Sequence, residues 1–343
     1  MTQINYRDSG VDIKEGEKAV ALMKENVRST FTKEVLSDLG HFGGLFQADF
    51  PDTENPVLVA STDGVGTKLK VASMTSKYDT VGQDLVNHCV NDILVQGARP
   101  LFFMDYIACG KLEASVITSI VSGLAVACRE NGCALLGGET AEMPGFYSEG
   151  DYDVAGTIIG LVDKSMIIDG STIRPGMTVI GLPSNGLHTN GYSLARKVLF
   201  EIAEMSSEDK PPLLEGATIG EALLAVHKSY LNVIKPLLKE RLIQGIAHIT
   251  GGGIPGNLSR ILPEGCGALI DEKWEIPRIF EIIRERGNID RAEMRIAFNM
   301  GAGMLIVVKK SDSDRTLEIL QESGELPFLA GEITSQEGIS FKS

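Results

Sequence analysis

Positive charge is in short supply. Against 46 aspartates and glutamates the chain sets 32 lysines and arginines, for a formal net charge of −14 over 343 residues. That balance argues against nucleic acid or an anionic membrane as a general partner, while leaving a local phosphate site open. Cysteine is sparse too. The five, at 89, 109, 128, 133 and 266, show no paired metal-ligand spacing. The closest two, Cys128 and Cys133, fall on different expected elements, so reduced core thiols are expected rather than disulfides. No apolar run reaches the length of a membrane span, and residues 116–128 are broken by Ser and Gly. Residues 1–12 are polar and lack the apolar centre of a signal peptide. A cytoplasmic protein is expected.

Several familiar signatures are missing as well. Gly66-Thr67-Lys68 follows Gly64 after a single residue, which is not the spacing of a Walker A loop. Gly64-Val65-Gly66 supplies only half of a dinucleotide-binding turn, because position 69 is Leu. Ser184 and His188 share a loop, but no G-x-S-x-G elbow accompanies them.

Glycine, by contrast, is plentiful, with 38 residues lying mostly at the ends of apolar runs. An α/β protein with many strand-to-loop exits would place them so, and the length allows two domains. The first exit follows the apolar run 57–60: Ser61-Thr62-Asp63-Gly64-Val65-Gly66-Thr67-Lys68. Here Gly64 and Gly66 let backbone approach a ligand, Asp63 can hold a hard cation, and Lys68 can face phosphate oxygens. An ordinary glycine-rich surface turn is the competing reading. Residues 82–95 carry apolar residues at helical spacing, with Asp84, Asn87, His88, Asn91 and Asp92 gathered opposite and no lysine among them. Short, stiff oxygen and imidazole groups suit metal and phosphate work; an ordinary amphipathic helix with several polar residues bonded to neighbouring loops is the competing reading.

Further along, residues 101–107 read as a central strand covered on both sides, with Asp105 hydrogen-bonded near its functional end. A helix is expected over 112–130, then a strand over 133–136 ending in the loop Gly137-Gly138-Glu139-Thr140-Ala141-Glu142-Met143-Pro144-Gly145. Phe42 and Phe46, in a tight glycine turn, are expected to pack. Strands over 152–154 and 157–162 complete the first sheet, and 163–176 is the expected linker. In the second half, the strand 177–182 empties into a loop bearing His188, and Thr189 or Asn190 is expected to cap the helix 192–201. His188 has a plainer reading as a cap or core donor. A helical stretch over 220–240 should bend near Pro236. Residues 246–258 repeat the pattern of strand, glycine turn and helix, and Gly251 and Gly252 suit close backbone approach to an anion. A helix over 312–322 and a strand over 328–333 precede an expected loose tail beyond 338.

Residues 6–12, 61–68, 87–92, 137–145, 181–192, 248–257 and 298–304 together closely resemble the phosphoribosylformylglycinamidine cyclo-ligases, or aminoimidazole ribonucleotide synthetases, of purine biosynthesis. The resemblance spans nearly the whole chain. Asp-Gly-Val-Gly-Thr-Lys alone is shared more loosely, with formylglycinamide ribonucleotide amidotransferase, selenophosphate synthetase, thiamine-monophosphate kinase and a hydrogenase-maturation protein. What the resemblance implies is a two-domain α/β aminoimidazole ribonucleotide synthetase-like fold. Residues 1–168 would form an N-terminal α/β domain for ATP binding and dimerisation, and 169–343 a C-terminal α/β sandwich contributing to the active-site cleft. It implies ATP-dependent cyclisation of formylglycinamidine ribonucleotide by a magnesium-using homodimer.

Carried onto this chain, the resemblance makes Asp63, Lys68, Asp92 and His188 the catalytic candidates, and Asp63, Asp92 and Glu139 the metal candidates. Gly64, Gly66, Thr67, Asn87, Asn91, Gly137, Gly138, Glu139, Gly251 and Gly252 are the nucleotide-binding candidates. Ser9, where relatives more often have Ala, and the local His41-Phe42 depart from the pattern. Selenophosphate synthesis is disfavoured because no cysteine precedes Cys89. A small-molecule kinase or a non-enzymatic ATP-binding regulator are the alternatives, and the four catalytic candidates together favour an enzyme.

Overall fold

A computed structural model of the chain describes residues 12–342; the N-terminal part of the resemblance, 6–11, lies outside them. Two compact units emerge. One runs to Ile93 and resumes over Arg99–Leu161, and the other holds Leu94–Ala98 and everything from Val162. All five cysteines are buried and free. Among the described residues no helix is long and apolar enough to cross a membrane.

The first unit contains α1 (Ile13–Arg28), β1 (Pro56–Gly64), α2 (Lys68–Thr75), α3 (Asp79–Leu94), β2 (Arg99–Cys109), α4 (Ala114–Asn131), β3 (Ala134–Glu142) and β4 (Tyr152–Asp163). Its sheet has the order β1-β4-β2-β3, with β2 parallel to β3 and antiparallel to β4. Asp12 caps α1, its Oδ1 accepting the Lys14 amide at 3.1 Å. Helices α3 and α4 meet backbone to backbone: a Cβ at Gly82 would strike the Ile120 carbonyl, and one at Gly123 the Asp79 carbonyl. Glycine at both positions is therefore a packing requirement.

Two strands outrun their apolar stretches. Ser61-Thr62-Asp63-Gly64 belongs to β1 and Gly137-Gly138-Glu139 to β3, where loops were expected. The reason is pairing with a neighbour, since Gly137 stands in register with Met104 and Gly138 with Asp105. A Cβ on Gly138 would collide with the Asp105 carboxylate, so this glycine does serve the strand. Strand β2 is central, yet Met104 and Tyr106 are exposed, as are Leu58 and Thr62 on β1. Thr62 Oγ1 meets Thr157 Oγ1 at 2.8 Å, and Thr157 pairs with Met104, so these residues share one open face. The expectation of a strand covered on both sides fails there.

The second unit contains β5 (Thr178–Pro183), α5 (Tyr192–Arg196), α6 (Ile219–Leu223), α7 (Leu231–Glu240), β6 (Ile243–His248), α8 (Gly253–Leu258), β7 (Gly267–Ile270), α9 (Arg278–Gly287), α10 (Arg291–Ala297), β8 (Ala302–Val308), α11 (Ser313–Glu322), β9 (Phe328–Thr334) and β10 (Gly338–Phe341). The sheet order is β10-β7-β9-β5-β8-β6. Every residue of β8 is buried, as its unbroken apolar run from Met304 to Val308 requires of a strand covered on both faces. One side of this sheet packs Val179, Leu305, Val307 and Ala330 with Trp274 and α8 residues Ile254 and Leu258.

Three expectations change here. Helix α5 passes into a π-helical segment, Lys197–Ile202, and is preceded by Gly191 at φ 79 with no side-chain cap, so neither Thr189 nor Asn190 caps it. The stretch 220–240 breaks over residues 224–230 while Pro236 sits inside α7. Burial of Tyr230, whose hydroxyl donates to the Pro183 carbonyl at 2.9 Å, fixes that break by tertiary contact. The tail is not loose: β10 pairs in parallel with β7, and the Arg295 guanidinium lies 3.9 Å over the Phe341 ring.

Candidate active site

In the first unit β1 and α3 bring four polar side chains together. Ser61 and Asp63 alternate onto one face of β1, and His88 and Asp92 lie one turn apart on α3. His88 Nε2 stands 2.8 Å from Asp63 Oδ2 and 3.7 Å from Asp92 Oδ2. The Ser61 hydroxyl donates to Asp92 Oδ2 at 3.0 Å, and the Gly64 amide to Asp63 Oδ1 at 2.6 Å. Burial alone would pull the imidazole down, but its bond to Asp63 and the charges of Asp92, Asp63 and Asp84 outweigh that and raise the His88 pKa. Beneath lies an ion pair, Lys68 Nζ to Asp84 Oδ2 at 2.8 Å, with both side chains wholly buried. Burial lowers the Lys68 pKa, and Asp84 offsets part of that.

The polar face of α3 is thus buried. Asp84, Asn87, His88 and Asn91 are all closed off, and Asn131 Nδ2 donates to Asn87 Oδ1 at 2.8 Å. Lysine is absent from this face because each group meets a partner inside the protein rather than water. Lys68 is likewise directed to Asp84 and away from solvent, where a phosphate-facing ammonium was expected. Asp63 and Asp92 remain part-exposed, at 42% and 26% of their side chains. Two carboxylates thus stand beside one imidazole, and each brings oxygen of the hard kind that magnesium takes.

Glu139 is not brought to them. It is exposed on β3, and β4 and β2 lie between β3 and β1; three steps of about 4.8 Å separate the strands. Gly64 and Gly66 flank the exit from β1, Gly66 at φ 67, and Thr67 precedes α2 exposed and without a side-chain capping bond.

Gly137, Gly138 and Glu139 instead line a cavity of about 550 Å³ walled by α1, residues 38–44, β2 and β3. Asp105 stands on its floor in mid-strand. Burial pushes its carboxyl up to about 7, and a hydrogen bond from its own backbone amide offsets only part of that. Phe46 packs on Phe102, ring centroids 5.1 Å apart, but Phe42 is fully exposed at the cavity wall, against expectation.

In the second unit His188 sits at φ 61, buried, in the loop after β5. Its ring stacks on His227 at 4.1 Å and 22°, and His227 Nε2 lies 3.1 Å from His248 Nε2. Asn299 locks this loop: its Oδ1 accepts from Ser184 Oγ and the Gly301 amide, and its Nδ2 donates to the Gly186 carbonyl, all at 2.9 Å. Asn257 does the same for the glycine turn, donating to the Gly251 carbonyl at 3.2 Å and the Gly253 carbonyl at 2.8 Å. Gly252 adopts φ 94, and a Cβ on Gly251 would stand 3.3 Å from Asn190 Oδ1, so the turn and the His188 loop lie side by side. Sequence reading passed over His227, Asn257 and Asn299 as individual residues. Asn257 and Asn299 at least fall in the segments that carry the resemblance; His227 carries no local signal.

Residues 47–162 match the family described as AIR synthase related protein, N-terminal domain, and residues 174–342 its C-terminal domain. A protein of Alkaliphilus metalliredigens (strain QYMF) named phosphoribosylformylglycinamidine cyclo-ligase is 51% identical over 334 residues, 97% of this chain and 96% of that one. The chain belongs to the phosphoribosylformylglycinamidine cyclo-ligase family. Its likeness to the cyclo-ligase of that name from Bacillus cereus (strain B4264) is 51% over 337 residues, covering 98% of this chain and 97% of the other. Among solved structures, thiamine-monophosphate kinase from Stenotrophomonas maltophilia K279a superposes with a TM-score of 0.68 at 15% identity, over 94% of this chain and 96% of that one. The hydrogenase maturation protein HypE in complex with ATP does so at 0.64 and 17%, over 97% and 93%. At such identities these two share the cyclo-ligase fold and nothing finer.

Proposed function

We propose that the chain closes the imidazole ring of 5-aminoimidazole ribonucleotide from formylglycinamidine ribonucleotide, with ATP converted to ADP and inorganic phosphate, as a cytoplasmic ligase of de novo purine biosynthesis. The observation that carries this is 51% identity along 97% of the chain to a relative bearing the cyclo-ligase name. The chemistry explains the ATP. Amide oxygen leaves poorly, so the γ-phosphoryl group passes to the formamide oxygen, the amidine nitrogen attacks the activated carbon, and phosphate departs with that oxygen as the ring forms.

Asp63 and Asp92 would hold magnesium, which when bound offsets the charge of the transferring phosphoryl group. Lys68, paired with Asp84, serves this reading by fixing α3 and the ends of its carboxylates rather than by touching phosphate. Gly64, Gly66 and Thr67 offer backbone at the β1 exit, with Asn87 and Asn91 ordering α3 behind it. Gly137, Gly138 and Glu139 wall the cavity of the first unit, which has room for part of a nucleotide. His188 would stabilise the activated oxygen or move a proton, and Gly251 and Gly252 would approach an anionic group. On this reading residues 1–168 act as the ATP-binding and dimerising domain and 169–343 complete the cleft. The open sheet face at Leu58, Met104 and Tyr106 supports a homodimer.

Incubation with magnesium-ATP and formylglycinamidine ribonucleotide labelled at the formamide oxygen tests the proposal. Equal amounts of 5-aminoimidazole ribonucleotide, ADP and phosphate are expected, with the label in phosphate. A kinase would leave a stable phosphorylated product and a regulator would make none. Folded protein that forms no imidazole from intact substrate would overturn the assignment, and unlabelled phosphate would overturn the phosphorylated-amide step.

A further inference from the structure

Three segments of the second unit bring three histidines together: His188 from the loop after β5, His227 from the break between α6 and α7, and His248 at the end of β6. His227 is the middle one and wholly buried. Its Nδ1 lies 3.3 Å from Thr189 Oγ1, its Nε2 3.1 Å from His248 Nε2, and its face stacks on the His188 ring at 4.1 Å. Both edges and one face of a single imidazole are therefore engaged by the loop and strand that flank the glycine turn.

These contacts restrict chemistry as well as position. Two imidazole nitrogens 3.1 Å apart form a hydrogen bond only if one carries a proton and the other does not. When His248 Nε2 donates, neutral His227 accepts there and carries its own proton on Nδ1, facing the Thr189 oxygen. In the other state His227 Nε2 donates to His248, and Nδ1 accepts from the Thr189 hydroxyl. Thr189, His227 and His248 thus form one line whose tautomers change together. The stack acts on the third histidine. His188 holds a backbone conformation that non-glycine residues seldom adopt, with φ 61, and its ring is backed by His227 on one side. Nearby, a Cβ on Gly303 would collide with the Tyr230 hydroxyl and press on His188 Cε1, so the space for the His188 ring is itself shaped by a residue without a side chain.

We propose that His227 is a positioning residue of the ring-closing site, holding the His188 ring at its working angle and setting, through the line to Thr189, the tautomer that His248 presents. The inference rests on the reading of His188 as a group at the reacting centre. His227 itself touches no reactant; it acts through its two neighbours. Within the second unit, Tyr230, whose ring centroid is 6.3 Å from that of His188, and the Lys228–Glu325 pair at 2.7 Å, whose lysine lies 5.6 Å over the Tyr230 ring, also border this cluster.

Two substitutions separate the stack from the line. His227→Phe keeps a flat ring against His188 and removes both polar edges, whereas His227→Gln returns a donor and an acceptor near the Nε2 position. Expected for His227→Phe is a fall in kcat of tenfold or more, with KM for ATP and for formylglycinamidine ribonucleotide within about threefold of wild type, and recovery of part of the kcat in His227→Gln, which restores the polar edge but not the flat ring. Histidine ¹⁵N NMR of the unliganded protein supplies a readout that needs no turnover. Wild type should show His227 and His248 with complementary Nε2 protonation, and the His248 tautomer should change or become mixed in His227→Phe. An unchanged kcat in His227→Phe, equal losses in kcat and KM, or wild-type spectra with both Nε2 atoms protonated would overturn the proposal. Should His227→Phe fail to fold, the wild-type spectra and His227→Gln still decide it. Lack of product from wild type would instead count against the cyclo-ligase reading while leaving the NMR result to judge the histidine line.

Discussion

A mid-strand carboxyl whose burial outweighs the one hydrogen bond from its own amide must keep its proton or spend stability to lose it, and Asp105 is in that position. Glycines flank it in register on both sides, Gly138 on β3 and Gly156 on β4. Its neighbours thus offer space but no side-chain donor, and burial lifts its pKa to about 7. In the unfolded chain an aspartate titrates near ~3.9. Below that value both states are protonated and folding is not penalised. As pH rises toward 7 the unfolded chain ionises first and is favoured; above 7 the native state carries the full cost of a buried charge. Asp105→Asn should therefore gain stability over wild type as pH rises, the gap widening by on the order of 1–3 kcal/mol between pH 4 and pH 8. Urea denaturation of both proteins at the two pH values measures it, and a constant difference would mean that the carboxyl is ionised throughout. The part-exposed carboxylates behave otherwise. Asp63→Asn and Asp92→Asn each keep the shape and one oxygen but remove charge, so each should lower magnesium-dependent turnover at least tenfold while circular dichroism stays that of the folded protein. Near-wild-type turnover at limiting magnesium in both would reject their metal role.

Elements were legible in the sequence where their apolar period was strong and illegible where tertiary contact set their limits. The run before Ser61 and the run before Gly137 announced β1 and β3, but their polar ends did not. Backbone pairing holds those ends in the sheet after the apolar signal stops, and Gly138 reads as a loop residue only until Asp105 is seen beside it. Helix α3 was legible in a different way. Its lack of lysine and glutamate on one face set it apart from a solvent face, and burial of that face bears this out. The partners Lys68 and Asn131 come from α2 and α4, however, and no spacing within α3 points to them. Strands of four residues, β7 and β10, gave too short a pattern to register. The helix break before α7 depends on where Tyr230 and His227 are buried, so Pro236, the strongest local breaker, was the wrong place to look. For the same reason His188 could be singled out while His227, its stacking partner, could not.

At the scale of the whole molecule, a sheet with one face open to water sets the assembly question. Leu58 is 64% exposed, Met104 41% and Tyr106 39%, and they belong to the side of the first unit's sheet opposite its buried residues Phe103 and Ile107. Water-exposed apolar groups on a flat, regular surface favour burial by about 25 cal/mol per Å², and a stable homodimer needs roughly 800 Å² from each partner. The net charge of −14 works against two copies approaching. Salt screens that repulsion over about 8 Å at physiological ionic strength without weakening apolar contact. An assembly through this face should therefore tighten as sodium chloride rises from 20 to roughly 300 mM, the reverse of one held by ion pairs. Sedimentation velocity should find a dimer that persists to lower protein concentration in the higher salt. Leu58→Lys and Tyr106→Glu, which put charge on the face without touching the helix side, should each shift the protein toward monomer, with little change in its melting as a single chain. A wild type that stays monomeric at tens of micromolar, or variants that dimerise as wild type does, would move the interface elsewhere or remove it.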